Sequence, residues 1–427
     1  MGDGGLTTEE SVRDALERVV RESYGRMLAV LASGSRDIAA AEDALHDALE
    51  RAMVTWPRDG IPANPAGWIV VTARHRMLDR LRSPSSKALS IDDESRREPA
   101  APVDDRVEPD EIPDRRLALL FVCAHPAIDP SARTPLMLQT VLGLDAERIA
   151  AAFALPTPTM AQRLVRAKRR IKETGVPFVV PDARVMPERL PPVLEAIYGA
   201  YAIDWPVVAG RIEVESLSAE ALALAEVAAG LMPNEPEVLG LAALICLSLA
   251  RASARLDADG RFVPIDEQDP QLWNRELIAS GERHLLTASR LAISGAGDLR
   301  RVGRFQLEAA IQSAYDDRAR TGDVDRRMLV TLHRALVAAQ PTLGARVALA
   351  AAIGEADGEA TGLAELDAIE DPALTRFQPT WATRAHLLAG AGRREEADAA
   401  YRRAIDLTVD PVMRAHLVRR RAQVGGG

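Results

Sequence analysis

The amino-acid sequence predicts an all-α protein. Aromatic residues make up only 4% of the 427 residues, while Ala, Leu and Arg are abundant, and this composition favours helices over strands. Apolar residues recur at helical spacing, and almost no segment alternates Val, Ile and Thr as a half-buried strand does. A chain of this length is expected to form roughly two to four domains, each with its own core.

Residues 1–83 are predicted to form a helical domain. The segment "SVRDALERVVRESYGRMLAVLASG" ends at Gly34, and "DIAAAEDALHDALERAMVTW" follows, with Asp37 as its N-cap and Pro57 as its stop. After the turn-rich "PRDGIPANP", the segment "AGWIVVTARHRMLDRLR" forms a third helix. The apolar face of this third helix is expected to carry Trp68, Val71, Leu78 and Leu81.

Residues 84–113 are rich in Pro, Ser and acidic residues and poor in large apolar ones. Such a segment cannot bury enough surface to fold by itself. We therefore predict an acidic, flexible linker here.

Residues 114–178 are predicted to form four short helices punctuated by Pro, Gly and Asp. The last two are joined by a short turn at Leu155–Thr157, which is typical of a helix-turn-helix. Thr157 is expected to cap the second of these helices, with Pro158 in its first turn. The residues at i, i+4, i+7 and i+11 that should form its buried stripe are Met160, Leu164, Ala167 and Ile171.

The outer face of this last helix is strongly basic. The sequence "TMAQRLVRAKRRIKE" has six Lys or Arg residues before its first acid, Glu173, although the whole chain has a net charge of −9. Positive charge concentrated on one helix of an otherwise acidic chain indicates a polyanionic partner. As base readers in a DNA groove we predict Thr159, Gln162 and Arg166, and as phosphate contacts Arg163, Lys168, Arg169 and Arg170. The alternatives are a basic helix that serves solubility alone, or one that pairs with the acidic linker.

Residues 186–427 are predicted to form helical hairpins like those of tetratricopeptide (TPR) repeats. In "WATRAHLLAGAGRREEADAAYRRAIDLTVDP", large and small packing residues occupy the positions that such a repeat requires. These are Trp381, Ala385, Ala397, Tyr401 and Ala404. In an earlier segment the equivalent residues are Ala221, Ala225, Ala228 and Pro233.

Three separated parts of the chain resemble one protein family, in the family's order. "AEDALHDALERAMVTWP" and "NPAGWIVVTARHRMLDRLR" resemble region 2 of the extracytoplasmic-function (ECF) sigma factors, and residues 114–174 resemble their region 4. "FVCAHPAIDPSAR", "TMAQRLVRAKRRIK" and "DADGRFVPIDEQDPQLW" resemble the branch that carries a TPR-like C-terminal extension. The resemblance implies a transcription initiation factor that binds core RNA polymerase and recognises and melts promoter DNA.

The resemblance also implies roles for particular residues. The polymerase contacts would be the β′ clamp and the β flap, with Glu42, Asp43 and Asp47 facing the clamp. Residues that would bind the minus-ten element are Arg58, Asn64, Trp68, Arg74, His75 and Arg80. The basic helix-turn-helix helix would bind the minus-35 element. Each role has an alternative. The acidic residues of the second helix could form a solvated face, Trp68 could pack in the core, and His75 could have a structural role.

Other functional classes fit the sequence less well. It contains no phosphate-binding G-x-x-x-x-G-K, dinucleotide-binding G-x-G-x-x-G or zinc-binding H-E-x-x-H motif. Cys123 and His125 lie two apart on a helix and point away from each other, which disfavours a Cys–His nucleophile. We therefore predict no enzyme, no catalytic residue, no cofactor and no metal. A helical-repeat scaffold, or a helix-turn-helix regulator that does not bind polymerase, remains open because His46 and Leu49 replace the family's usual Gln and Phe.

The sequence also predicts where the protein acts. Its start has neither a basic nor an apolar signal region, and no run of about eighteen apolar residues is present to span a membrane. Cys123 and Cys246 form no C-x-x-C pair, as expected in a reducing cytoplasm. For the C-terminal domain we predict either a regulatory protein partner or an intramolecular contact.

Overall fold

The computed structural model describes residues 8–82, 115–153, 155–181, 184–204, 217–294 and 302–425. In these ranges the secondary structure consists of α-helices, short 3-10 helices and one isolated antiparallel bridge. The predicted all-α fold is therefore confirmed. The chain divides into two compact units, Met1–Ala200 and Tyr201–Gly427. The predicted linker, residues 84–113, lies outside the described residues.

Three helices begin the first unit: α1 (Thr8–Ser35), α2 (Ile38–Asp59) and α3 (Pro65–Arg82). Asp37 caps α2 as predicted, since its carboxylate accepts a hydrogen bond from the Ala40 amide at 3.1 Å. The prediction that Pro57 ends α2 is wrong. The helix continues to Asp59 because the Gly60 amide still reaches the Trp56 carbonyl at 3.0 Å.

The face of α3 that packs against the rest of the unit is not the one we predicted. Ile69, Val70 and Ala73 are buried, whereas Val71 and Leu78 remain 38% and 37% exposed. Successive apolar residues in "WIVV" cover more than one face of the helix, so periodicity alone did not identify the buried one. Contacts with α1 and α2 decide it. The Leu81 side chain lies outside the described ones.

Four short helices follow in the first unit, in the predicted order: α4 (Arg116–Cys123), α5 (Pro130–Thr140), α6 (Ala146–Ala152) and α7 (Thr157–Thr174). Asp129 and Asp145 cap α5 and α6 through amides at 2.8 Å. A longer helix, α8 (Met186–Asp204), crosses the boundary between the two units.

Helices α6 and α7 pack together, and α7 also packs on α5. The predicted stripe of α7 is confirmed, because Met160, Leu164, Ala167 and Ile171 are all buried. The prediction that Thr157 caps α7 is wrong. Pro156 takes the N-cap position, which leaves Thr157 as the first helical residue and Pro158 in the first turn, as expected.

The second unit continues with helices that pack mainly on their neighbours in sequence. They are α9 (Leu217–Leu231), α10 (Pro236–Ala250), α11 (Arg275–Ser294), α12 (Arg304–Asp316), α13 (Arg318–Thr321), α14 (Arg326–Ala339), α15 (Leu343–Asp357), α16 (Glu359–Asp367), α17 (Gln378–Gly390), α18 (Arg394–Leu407) and α19 (Pro411–Gly425). Packing mainly between neighbours in sequence is typical of helical-repeat proteins.

Small residues allow these helices to approach closely. A Cβ on Gly362 of α16 would lie 2.6 Å from the Gly354 Cα of α15, so the pair leaves no space for a side chain. Every alanine predicted to pack in the hairpins is buried, and Tyr401 is buried with them. Trp381 is half-buried and packs on the same core.

The segment Pro236–Ala254 is long and apolar enough by composition to cross a membrane, with a mean hydropathy of 1.6. The predicted absence concerned an uninterrupted run of about eighteen apolar residues, and this segment is interrupted by Glu237, Ser248 and Arg251. Within the described chain 89% of the segment is buried, and α10 packs against α9, α11 and α12.

The segment "DADGRFVPIDEQDPQLW" has a clear structural role. The Asp257 carboxylate accepts hydrogen bonds from the Asp259 and Arg261 amides, which closes a tight turn. The Phe262 ring meets the edge of His416 of α19 at 5.2 Å. Glu267 pairs with Arg420 of the same helix at 3.6 Å. The segment thus fastens the C-terminal helix of the second unit to its middle.

Candidate polymerase and nucleic-acid interface

The exposed face of α7 carries most of the residues predicted to bind DNA. The exposed predicted residues are Thr159, Gln162, Arg166, Arg169 and Arg170. Arg163 is half-buried and donates to the Ser131 carbonyl at 3.2 Å, which ties it to α5. Val165 is 66% exposed on the same helix, between Gln162 and Arg166. The sequence reasoning missed it, although a methyl-bearing side chain there could contact a thymine methyl group.

Lys168 of α7 faces the interior of the first unit instead. Its amine donates to both carboxylate oxygens of Glu42 on α2, at 2.7 and 2.6 Å. The side chains are only 11% and 14% exposed. One turn further, Lys172 pairs with Asp37 at 2.8 Å. A residue predicted to bind DNA and one predicted to bind polymerase are therefore each other's partners in this structure.

The other two predicted polymerase residues lie on the surface. Arg80 of α3 donates to Asp43 at 3.3 Å and to Asp47 at 3.2 Å. The three side chains remain between 36% and 66% exposed. Exposed pairs of this kind contribute little to stability, so Asp43 and Asp47 stay accessible to a partner.

The residues predicted for the minus-ten element occupy the end of α2 and the length of α3. Arg58 is exposed in the last turn of α2. The Asn64 side-chain oxygen accepts a hydrogen bond from the Gly67 amide at 2.9 Å, so this residue orients the start of α3. Trp68 is half-buried, and its ring meets Trp56 edge-on at 5.5 Å. On the same helix, Arg74 is half-buried and His75 is exposed.

An apolar surface next to the acidic residues of α2 escaped the sequence reasoning. Met53 and Val54 are 58% and 64% exposed. Met53 borders a groove of about 620 Å³ between α1 and α2 whose apolar lining includes Val12, Leu16 and Leu49. A signal was present in the sequence. Met53 and Val54 follow Glu50 by about one helical turn and His46 by about two turns, so these residues lie on one side of the helix. A contiguous exposed apolar patch rimmed by charged residues is a feature of protein-binding surfaces.

Tight packing joins helix α1 to the segment that follows α5. A Cβ on Gly25 would lie 1.9 Å from the Val141 carbonyl oxygen, so only glycine fits there. The Arg115 guanidinium donates to the Ser33 hydroxyl at 3.3 Å. Burial, with a smaller contribution from the Glu42 charge, raises the pKa of the Tyr24 phenol. Tyr24 therefore lies near Glu42, the partner of Lys168.

Cys123 and His125 do not form a reactive pair. The Cys123 thiol is buried beside the Thr140 hydroxyl at 3.6 Å, and burial raises its pKa to about 12. The His125 Nδ1 accepts a hydrogen bond from the Ala127 amide at 3.1 Å. A protonated, buried thiol is a poor nucleophile.

The second unit contains a polar cluster that the sequence did not reveal. Glu226 of α9 is hydrogen-bonded by His284 Nε2 at 3.1 Å and by the Cys246 and Ser280 side chains at 3.4 Å. The bond from His284 lowers the pKa of Glu226, while burial raises the pKa of Cys246 to about 12. In the described chain no group of three His, Cys, Asp or Glu side chains is placed to hold a metal ion.

Comparison with known proteins identifies two parts of the chain. Residues 19–86 match Sigma-70 region 2, which covers most of α1 together with α2 and α3. Residues 189–289 match a family of unknown function, DUF6596, from α8 to α11. "Uncharacterized protein R00370" of Rhizobium meliloti (strain 1021) is 33% identical over 390 residues, which cover 90% of this chain and 89% of that protein. No solved structure matches the chain.

The chain therefore belongs to one family with the rhizobial protein, and its region 2 makes it a sigma-70 family factor. Region 2 implies a contact with core RNA polymerase and with promoter DNA. A role in transcription initiation follows.

Proposed function

We propose that this protein is an ECF-type sigma factor whose C-terminal unit is a TPR-like regulatory extension. The observation that carries the proposal is that a region 2 match and a basic helix, α7, packed after a short turn on α6 occur in one compact unit, and we interpret α6 and α7 as a helix-turn-helix. A groove-binding regulator would need the second element but not the first. Such a factor would act in the cytoplasm, where the polymerase and the promoter are found.

In this proposal α7 binds the minus-35 element. Gln162 and Arg166 lie on its exposed face, where bidentate hydrogen bonds to adenine and guanine are possible. Arg169 and Arg170 are exposed further along the helix, where they would contact phosphates. Val165 would add a contact to a thymine methyl group between the two readers. The β flap of polymerase would hold this helix-turn-helix near the upstream element.

Helices α2 and α3 would bind the β′ clamp and the minus-ten element. Asp43, Asp47 and the apolar Val54 form the exposed side of α2. Along α3, the basic residues would follow the backbone of the melting strand, and the bases would stack close to Trp68 and Asn64.

The C-terminal helical hairpins would bind a regulatory protein or the chain's own N-terminal unit. Their alanine-rich packing and sequential stacking resemble those of solenoids, which use extended surfaces for protein recognition. Removing residues 205–427, which leaves the first unit whole, separates the two outcomes. Higher transcription indicates autoinhibition, and lost transcription indicates a required partner surface.

The direct test is run-off transcription with purified core polymerase and a genomic promoter library. A promoter-dependent transcript that requires this protein supports the proposal. Specific DNA binding without polymerase binding would instead identify a helix-turn-helix regulator. Binding to neither would identify a helical-repeat scaffold.

A further inference from the structure

We infer that the acidic edge of α2 is a docking surface for α7, and that this contact hides Glu42 from polymerase until the two helices separate. The inference rests on the proposed function. Its basis is that Glu42 is bound on both carboxylate oxygens by Lys168, with both side chains almost fully buried. A carboxylate in that environment cannot accept a bond from a second protein.

The geometry of the contact is that of two helices joined by paired charges. Lys168 and Lys172 lie one turn apart on α7, and both point to α2. Their partners are Glu42 near the start of α2 and Asp37 at its N-cap. The surface therefore accepts a helix that presents two basic residues at a spacing of four.

Tight packing elsewhere in the same unit holds α1 against the segment after α5. Gly25 of α1 approaches the Val141 carbonyl so closely that any side chain would separate them. The Tyr24 ring lies beside Gly143, with one atom 3.5 Å from the position of a Cβ there. Because α1 also packs on α2, the closed arrangement of the unit is a defined state.

The contact does not hide all functional surfaces equally. Gln162, Arg166 and Arg169 remain exposed on α7 while Lys168 is buried. The closed unit can therefore meet DNA through its reading face, whereas part of its polymerase surface is covered. Because coupling between two binding sites is reciprocal, promoter phosphates that attract the α7 lysines favour opening and hence polymerase binding.

The test measures the affinity of the full-length protein for core polymerase in the absence of DNA. We expect Lys168→Gln to bind at least about fivefold more tightly than the wild type, since a larger fraction of the protein is then open. The matched control is Arg148→Gln, which removes the same charge from the neighbouring helix α6. Arg148 is exposed and has no role in the proposed DNA or polymerase contacts, so the control should bind as the wild type does.

Equal affinity of Lys168→Gln and the wild type would overturn the inference while leaving the proposed function intact. Absence of polymerase binding by all three proteins would overturn the proposed function, and the inference with it. Tighter binding by both variants would show a general charge effect and would also overturn the inference.

A second variant tests the other ion pair of the same contact. Asp37→Asn should increase amide hydrogen exchange in α7 and tighten polymerase binding, since asparagine can still cap α2 but no longer pairs with Lys172. Asp145→Asn is the matched control, because it makes the same change at the residue that caps α6, away from α2, and it should change neither. Faster exchange in α7 without tighter polymerase binding would contradict the inference.

Discussion

Glu237 of α10 accepts two hydrogen bonds from Gln306, one from its backbone amide at 3.3 Å and one from its side chain at 3.2 Å. The same carboxylate accepts the Phe305 amide at 3.2 Å. Helix α12 begins after Gly303, which has no side chain to cap it. The cap is thus supplied by a neighbouring helix, and it joins consecutive hairpins of the second unit.

We expect Glu237→Ala to destabilise the start of α12 by about 1–2 kcal/mol, because two helix amides lose their acceptor. Hydrogen exchange measured by mass spectrometry should show amides at 304–308 exchanging roughly tenfold faster. Glu235→Ala removes the same charge from an exposed residue whose side chain makes no capping bond, so its exchange should match the wild type. Unchanged exchange in Glu237→Ala would contradict the capping role.

Arg166→Ala should cost about 1–3 kcal/mol on the cognate promoter and relax the preference at one base position. Arg170→Ala should weaken binding to all DNA sequences alike and reduce the salt dependence by about one ion. Binding titrations against promoter variants at several salt concentrations distinguish the two effects. A uniform loss for Arg166→Ala would identify that residue as a phosphate contact.

Val54→Asp should weaken binding to core polymerase by about tenfold or more, since it places a charge in the apolar part of the proposed contact. Val54 is 64% exposed, so the fold should not change. Val179→Asp makes the same change at a residue that is 56% exposed outside α2, and it should leave polymerase binding intact. Equal losses for both variants would show that the effect is not specific to α2.

His333 of α14 should make the second unit sensitive to acid. Burial lowers the pKa of His333 to about 4, from an ordinary value of 6.5. Between pH 6.5 and 4 the unfolded chain therefore binds a proton at His333 that the folded chain does not bind. The free energy of unfolding decreases as the pH falls through this range. The loss reaches about 3 kcal/mol at most.

The expected remedy for this acid sensitivity is His333→Leu, which removes the titrating group. Urea unfolding of the full-length protein at pH 7 and pH 4.5 should show a smaller stability difference for the variant than for the wild type. Equal pH dependence of both proteins would mean that His333 takes up its proton over the same pH range in the folded and the unfolded chain.

Much of this fold could be predicted from local sequence signals. The Asp37 cap, the turn before α7 and the buried stripe from Met160 to Ile171 depend on residues close together in the chain, and the structure contains each of them. Local signals failed in two places. At Pro57 the helix continues because the Gly60 amide still bonds to the Trp56 carbonyl, and along α3 the packing of α1 and α2 decides which face is buried.

The sequence by itself determined that the protein is helical and that α7 carries a concentrated positive charge, because helix periodicity and charge are properties of neighbouring residues. Only the tertiary structure decided which charges remain available to a partner. Glu42 and Lys168 are 126 positions apart, and no local pattern indicates that they meet. Their burial against each other depends on the packing of α1, α2 and α7, which is fixed by contacts between distant parts of the chain.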